Sequence, residues 1–333
     1  MVEKIKGMMA TRGKAKVLGT GLLMLMAAVL IVCVPFSGDR RLMNIGLMAL
    51  MYIALGQSWN IGAMAGLFSV SHSVFFGLGV YGISIMLNRF SGNVVTGVLM
   101  GLAANVLVAT LVGVIASKLS DLYFIMALIG LSQTIYTLAL QWSSLTGGSS
   151  GISLPREYLL PKPALYCIAL GLAALSMIFY VFLRRSRLGT SFITTRENPQ
   201  LASALGSNIG GWRIVATILS AVIASLCGAF YAFHLMSNNA TVFSGDYSLK
   251  IMMVAIVGGI GSVWGPCLGV TMIVLDEFVR GAMPSKFAPF SVIIYALVLI
   301  VVALVRPGGL VSFFTGGKNK NVLASATNAS AAK

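Results

Sequence analysis

Long apolar runs separated by short polar segments dominate the chain. A membrane-spanning helix needs about 20 mostly apolar residues, and clear runs of this kind lie at roughly 17–36, 42–60, 64–88, 94–116, 122–141, 164–183, 214–234 and 287–305. The remaining apolar region, 248–280, is too long for one simple helix and is rich in glycine near its middle. We divide it into a short span at 248–260 and a second span at 263–280. The pattern predicts an all-α polytopic membrane protein with about ten transmembrane helices. Two Gly-rich segments among them are predicted to be broken.

Composition supports this class. Hydrophobic residues make up 58% of the chain and charged residues 9%, against about 45–50% and about 25% in soluble domains. The mean hydropathy is +0.93. A soluble fold could not hide so much apolar surface, so a soluble enzyme, a secreted disulfide scaffold and a disordered protein are excluded. The four cysteines lie in apolar runs without metal or disulfide spacing, which predicts small buried side chains and no metal site.

The positive charge indicates orientation. The net charge of +15 is concentrated in the arm 1–16, the loop 184–213 and the tail that begins at Arg306, with no aromatic-interleaved basic patch that would favour nucleic acid. Basic segments near span ends stay in the cytoplasm. Even numbers of predicted spans separate the three segments, so the N- and C-termini are both predicted to be cytoplasmic. The transmembrane domain then covers 17–312, and 313–333 is predicted to be a disordered cytoplasmic tail.

A polar cluster interrupts the third apolar run. Ser69, Ser71, His72 and Ser73 follow a stretch of small residues at three- and four-residue spacing, and Phe75 comes soon after. Small residues let helix backbones approach closely, whereas lipid does not accommodate clustered polar groups. Each hydroxyl alone is equally consistent with a bond to its own helical turn. The whole cluster predicts a helix break or a translocation pathway.

A second Gly-rich segment lies between 256 and 266. Its candidate pathway residues are Gly258, Gly259, Gly261 and Ser262. No strand precedes it and no Gly-Lys-Ser/Thr triplet occurs in the chain, so a phosphate-binding loop is excluded. A discontinuous membrane helix, paired with the first segment in the other half of the chain, is the better interpretation.

A short helix is predicted within the cytoplasmic loop. Asn198 and Pro199 suit its start, and Gly206 suits its end. The residues on its apolar face are Leu201, Ala204 and Leu205. A solvated loop with a chance amphipathic turn is the alternative, but a capped, partly apolar cytoplasmic helix favours a docking element for a soluble partner.

Six motifs in order then identify a family. They lie at 66–72 with 75–81, 146–152, 186–189, 196–206, 258–266 and 306–310. Over roughly residues 40–312 the chain resembles the permease subunits of bacterial branched-chain amino acid ABC transporters, the Liv family. It is most similar to the M-type permease, which pairs with a shorter H-type permease.

The resemblance implies a non-enzymatic, channel-forming subunit of the inner membrane. Its implied partners are an H-type permease, two cytoplasmic ATPase subunits that bind the ATP, a periplasmic substrate-binding protein, a small-molecule substrate and the lipid bilayer. No cofactor is expected on this chain itself. The implied ATPase-coupling residues are Arg196, Glu197, Ala202, Ala204, Leu205 and Gly206. A family motif in the loop after the fifth predicted span contributes Thr146, Gly147, Gly148 and Gly151.

Other transport functions stay open at this point. Importers of urea, short amides and aromatic acids use similar permeases. An ion-coupled secondary carrier is an alternative from another class, but carriers keep ionisable residues inside the membrane. By the predicted spans, only Asp276 and Glu277 among the acidic residues lie within one, near its end.

Overall fold

The computed structural model describes residues 40–90, 92–119, 121–282 and 309–312. The first half of this part contains helices α1 (Arg40–Met64), α2 (His72–Arg89), α3 (Val94–Lys118), α4 (Asp121–Gln141), α5 (Ser143–Thr146) and α6 (Lys162–Arg185). The second half contains α7 (Arg187–Glu197), α8 (Pro199–Ala204), α9 (Ile209–Leu235), α10 (Gly245–Gly258), α11 (Gly265–Gly269) and α12 (Thr271–Ala282). The arm 1–16, the predicted spans 17–36 and 287–305, and the tail 313–333 lie outside the described residues.

Among the described residues, the structure is that of a polytopic membrane protein. Five helices are long and apolar enough to cross a membrane: Arg41–Met64, Val94–Lys118, Leu122–Gln141, Lys162–Arg185 and Ile209–Leu235. They correspond to the predicted spans at 42–60, 94–116, 122–141, 164–183 and 214–234. The length of the apolar runs therefore located these five helices correctly, with bounds that differ by up to five residues.

Three predicted elements differ from the structure. The span predicted at 64–88 begins only at His72, since residues 65–71 leave the helix in a turn. The span predicted at 263–280 is divided into α11 and α12. The loop 184–213 is mostly helical, because α6 continues to Arg185 and α7 follows after Ser186, whose hydroxyl accepts a hydrogen bond from Gly189 N at 3.3 Å. A Ser N-cap of this kind starts a new helix directly after the old one ends.

Two of the five candidate spans lie at the centre of the described bundle. Other parts of the protein bury 78% of the most apolar stretch of α1 and 67% of that of α9, against 28% for α3 and 22% for α4. Lipid is as apolar as the outward leucines of α3 and α4, so these exposed side chains need no protein cover. The burial pattern places α1 and α9 inside the bundle and α3 and α4 at its periphery.

Glycine allows α2 to lie directly against α9. A Cβ atom added to Gly79 would lie 2.1 Å from the carbonyl oxygen of Ser225, and one added to Gly228 would lie 2.0 Å from that of Phe76. Gly101 of α3 also packs on α2, where its added Cβ would lie 3.3 Å from the Cα of Gly79. Van der Waals contact between backbones is a main source of helix association in membranes. These glycines therefore fix the contact of α2 with α3 and α9.

A small antiparallel ladder joins two connections at the opposite end from the 184–213 loop. The strands are β1 (Ile152–Ser153) and β2 (Ser237–Asn238), with Ile152 opposite Asn238. The amide of Leu154 extends the ladder by donating to Met236 O at 2.7 Å. Asn88 at the end of α2 donates to Ser153 O at 2.6 Å. The ladder thus ties together the ends of α2 and α9 and the segment before α6.

We predict that Gly79→Ala destabilises the protein by about 1–3 kcal/mol, the usual cost of overpacking a tight contact. Gly171→Ala on α6 is the matched control, because its added methyl meets no atom of the described residues within 4 Å. It should be neutral or stabilising by up to about 1 kcal/mol, since alanine restricts the unfolded chain. Thermal unfolding of the detergent-solubilised variants measures both, and equal melting temperatures would contradict the packing assignment.

Candidate functional site

The turn after α1 brings the first predicted polar cluster into the interior. The amides of Gly66 and Leu67 donate to Ala63 O and Gly62 O at 3.1 Å each, and Gly66 has a positive φ of 81°. A left-handed residue of this kind ends a helix and is most readily glycine. The indole of Trp59 then donates to Ser69 O at 2.8 Å and holds the turn on α1.

The imidazole of His72 contacts a buried pair of serine side chains, Ser58 and Ser220. Ser58 Oγ lies 2.9 Å from His72 Nε2 and 2.6 Å from Ser220 O. Because a hydroxyl has one proton, Ser58 donates it to Ser220 O and accepts from the Nε2–H of His72. Ser220 Oγ in turn donates to Ser58 O at 2.7 Å. The pair joins α1 to α9, and it fixes the imidazole at the start of α2.

A second hydroxyl chain lies one residue further along α2. The backbone amide of Ser73 donates to Ser248 Oγ at 2.8 Å, Ser248 Oγ donates to Ser73 Oγ at 2.8 Å, and Ser73 Oγ donates to Phe243 O at 3.0 Å. Next to it, Asn105 of α3 donates to Phe75 O at 3.0 Å. The predicted pathway residue Phe75 itself is buried, with its ring 5.7 Å from that of His72.

Several buried polar atoms in this region have no hydrogen-bond partner in the described part of the chain. They are Gln57 Oε1, Ser69 Oγ, Ser71 Oγ and His72 Nδ1. An unpaired buried polar atom costs about 1–3 kcal/mol, and polar groups left in this way indicate sites for water or a polar ligand. Three of the four belong to the cluster predicted from sequence.

The second Gly-rich segment is a turn held by side chains of α1. Helix α10 ends at Gly258, and a Cβ added there would lie 1.8 Å from Gly265 O. Asn60 donates to Ser262 O at 3.4 Å and accepts from the amide of Gly261 at 3.3 Å, and Gln57 donates to Val263 O. The predicted break in the helix is confirmed at this position. Its polar partners on α1 hold the turn 259–264 in place.

Sequence reasoning missed the part that α1 contributes. Gln57, Ser58 and Asn60 are fully buried and connect the two breaks. The prediction of a simple span at 42–60 gave these residues no role. The signal was present, since three amide or hydroxyl side chains within four positions are unusual in an apolar run. Apart from His72, their partners Ser220, Ser262 and Val263 lie more than 160 residues away along the chain, which no local pattern specifies.

The predicted Thr146 motif forms a compact turn beside the β ladder. Thr146 Oγ1 donates to Ala139 O at 2.6 Å and accepts from the amide of Gly148 at 3.2 Å. Gly147, Gly148 and Gly151 all have positive φ. A Cβ added to Gly151 would lie 2.3 Å from Asn238 O, so the motif packs directly on β2. The structure separates this motif from the 184–213 loop, at the other end of the bundle.

The short helix α8 is confirmed with its predicted cap. Asn198 Oδ1 accepts from the amide of Leu201 at 3.0 Å, and Gly206 follows the helix with a φ of 81°. Leu201 and Leu205 are 55% and 79% exposed, whereas Ala202 is buried against the rest of the chain. Ala204 and Glu197 are also exposed. Leu201 in the helix and Leu205 directly after it are therefore both exposed.

Both breaks contact arginine side chains near the two ends of α7. Arg184, at the end of α6, donates to Gly261 O at 3.0 Å. A Cβ added to Gly66 would lie 3.5 Å from Cβ and Cγ of Arg196, so the aliphatic part of that side chain covers the first turn. The two predicted pathway segments and the predicted coupling loop thus meet at one end of the bundle.

Comparison with known proteins decides the family. The family model described as branched-chain amino acid transport system / permease component matches residues 41–303. The chain belongs to this permease family. The permease is 23% identical over 324 residues to the high-affinity branched-chain amino acid transport system permease protein LivM of Salmonella typhimurium, which covers 86% of this chain and 74% of that relative. LivM of Escherichia coli is 24% identical, over 85% of this chain and 72% of its own.

A second type of permease is also similar. The permease protein LivH of Escherichia coli is 27% identical over 186 residues, which cover 50% of this chain and 58% of that relative. No solved structure matches the chain. The LivM proteins match the permease over most of its length, and this confirms the M-type resemblance of the sequence motifs.

We predict that Ser58→Ala lowers the stability of the permease by about 1–3 kcal/mol, because the Nε2–H of His72 and Ser220 O both lose their partner. Thr134→Val is the control, since the exposed Thr134 hydroxyl donates to Gly130 O of its own helix, at 2.8 Å, and joins no other helix among the described residues. Thermal unfolding in detergent is the measurement. If both variants unfold at the wild-type temperature, the Ser58–His72 pair contributes nothing to the fold.

Proposed function

We propose that this chain is the permease subunit of an ATP-driven, binding-protein-dependent importer that moves branched-chain amino acids across the inner membrane. The family match over residues 41–303 is the observation that carries this proposal. The LivM and LivH relatives are named for branched-chain amino acid transport, which supports the substrate class. The M-type permease would work beside an H-type permease, with two ATPase subunits that bind ATP and a periplasmic binding protein.

The chemistry of the cluster between α1 and α2 supports a zwitterionic substrate. Its polar groups are hydroxyls, amides and an imidazole, and the unpaired atoms around His72 are hydrogen-bonding sites for a passing ligand. The carboxylate and ammonium groups of a zwitterion can form and break hydrogen bonds with such groups, because a neutral hydroxyl, amide or imidazole does not hold them as a fixed opposite charge would. Weak, replaceable contacts suit transit, and substrate selection then belongs to the binding protein.

The exposed side of α8 supports the coupling role. A leucine such as Leu205 that is 79% exposed next to a basic loop is suited to a pocket on a soluble partner. Glu197 and Arg196 flank the same helix, and Arg196 reaches Gly66 of the first break. In the proposed cycle, ATPase closure moves α8 and biases the permease between outward- and inward-facing states, as a ligand biases any two-state equilibrium.

The proposed topology has ten spans with both termini in the cytoplasm. The five helices identified as spans, together with the turn at 259–264 between α10 and α11, are compatible with this count. The basic loop 184–213 and the two breaks would then face the cytoplasm, and the β ladder and the Thr146 motif would face the periplasm.

One observation bears on the secondary-carrier alternative. The side chain of Asp276 on α12 is buried and lies 3.5 Å from Lys250 Nζ on α10. Sequence reasoning placed Asp276 within a span but missed the lysine opposite it. A carboxylate already paired with lysine is a poor proton or ion carrier, because release of its partner leaves a buried charge. The pair is better suited to fixing α12 against α10.

The proposed function is tested by purification and uptake. The tagged chain is extracted from its native membrane in mild detergent, and the co-purifying proteins are identified. An ATPase and a second permease are expected. Uptake of labelled leucine into proteoliposomes that contain the complex and its binding protein should require ATP. Excess isoleucine or valine should suppress the uptake, whereas urea and benzoate should not.

Two results would contradict the proposal. If the chain purifies alone and its transport follows an ion gradient, it is a secondary carrier. If urea, a short amide or benzoate competes and leucine is not transported, the permease belongs to an importer of that substrate class.

We predict that Leu205→Asp lowers recovery of the ATPase about tenfold or more, because the interface would then bury an unpaired carboxylate in place of an apolar side chain. The protein should still fold, since Leu205 is largely exposed. Ser203→Asp adds the same charge to another exposed side of α8 and should retain the ATPase. Equal recovery from both variants would remove Leu205 from the coupling surface. The double variant Glu197→Ala, Leu205→Asp should abolish ATP-dependent uptake.

A further inference from the structure

Arg184, at the corner between α6 and α7, connects the coupling loop to another part of the fold. Arg184 is exposed, yet its guanidinium donates to Gly261 O at 3.0 Å across 77 residues of sequence. Hydrogen bonds from charged donors are stronger than those between neutral groups. Arg185, the next residue, makes no such bond with any described residue and lies beside Trp264 in an apolar groove of about 430 Å³. Arg184 is therefore specifically directed to the turn 259–264.

The corner itself is rigid. A Cβ added to Gly189 would lie 2.2 Å from Leu183 O, so the first turn of α7 packs directly on the last turn of α6. Phe192 of α7 is fully buried, with its ring 6.3 Å from that of Trp212 at the start of α9. The indole of Trp212 donates to Ser207 Oγ at 3.1 Å, just after α8. A displacement of α8 therefore reaches α7 and the end of α6 through close contacts.

The turn 259–264 is held by α1 and by the α6–α7 corner, and Gly309 packs on its first residue, since a Cβ added to Gly309 would lie 2.5 Å from the Cα of Gly259. On one side, Asn60 and Gln57 bond to Gly261, Ser262 and Val263. On the other side, the bond from Arg184 to Gly261 O is the contact from the α6–α7 corner. Gly261 has a φ of 75°, and no atom of the described residues lies within 4 Å of an added Cβ, so this part of the chain leaves the turn space to change conformation around Gly261.

We infer that Arg184 is the positioning residue that links the coupling loop to the Gly-rich turn. Its bond to Gly261 O moves the turn 259–264 with α7, while the contact of Arg196 with Gly66 links α7 to the turn 65–71. Both breaks then respond together when α8 is displaced. This inference rests on the proposed coupling function, and it adds the route by which the loop acts on the pathway.

The test uses the assembled importer in proteoliposomes, in which uptake and ATP hydrolysis are measured in the same preparation. Arg184→Gln keeps a polar side chain but removes the charge, and we expect about tenfold less substrate imported per ATP hydrolysed. Arg185→Gln is the matched control and should keep the wild-type ratio. Arg184→Lys retains a charged donor and should restore part of the substrate imported per ATP hydrolysed. A structural defect would lower the amount of complex, without changing the ratio.

Gly261→Ala tests the other end of the bond. Its methyl group contacts none of the described residues, but alanine disfavours a φ of 75° and so displaces Gly261 O. We expect the same loss of coupling. In the double variant with Arg184→Gln, the loss should be no greater than that of the more severe single variant, because both remove one interaction.

The inference is overturned if Arg184→Gln has the same ratio as Arg185→Gln, or if the losses in the double variant multiply. If Arg184→Gln does not assemble, then Arg184→Lys and Gly261→Ala decide, and wild-type ratios in both overturn the link. Failure of the proposed function is distinct, because the wild-type complex itself would then lack ATP-dependent uptake.

Discussion

The polar side chains in the last turns of α1 form hydrogen bonds to the backbone of both helix breaks, the turns 65–71 and 259–264. Backbone away from a helix is tolerated at membrane depth only where protein or water supplies its hydrogen bonds. Trp59 supplies one to the turn 65–71, and Gln57 and Asn60 supply several to the turn 259–264. Ser58 joins the same helix to His72 and Ser220. Both breaks therefore depend on one buried helix end.

Packing divides the described bundle into a fixed centre and an end with freedom to move. Gly79 and Gly228 bring the backbones of α2 and α9 into direct contact, and close-packed surfaces of this kind do not deform gradually. At the end that carries the basic loop, single side chains such as Arg184 and Arg196 make the connections instead. A transporter needs such a combination, because two discrete states require rigid parts joined by contacts that can be exchanged.

The sequence by itself determined the membrane class, the five long spans and the cap of α8. These features depend on local quantities: apolar length, the spacing of small residues and the backbone preferences of Asn, Pro and Gly. The density of glycine likewise located the break at 259–264, because a helix cannot continue through so many glycines at low cost. The spans at 17–36 and 287–305 stay predictions from the same local pattern.

Tertiary structure alone decided where the breaks meet and which side chains satisfy them. The start of α2 at His72 and the extra helix α7 follow from bonds made across the fold, such as those of Ser73 with Ser248 and of Phe192 with Trp212. The pairing of Asp276 with Lys250 is of the same kind. A hydrogen bond or a ring contact between distant residues depends on where the helices pack, and hydrophobic periodicity specifies only which face of a helix is buried. The sequence therefore determined the helices, and their packing decided the site.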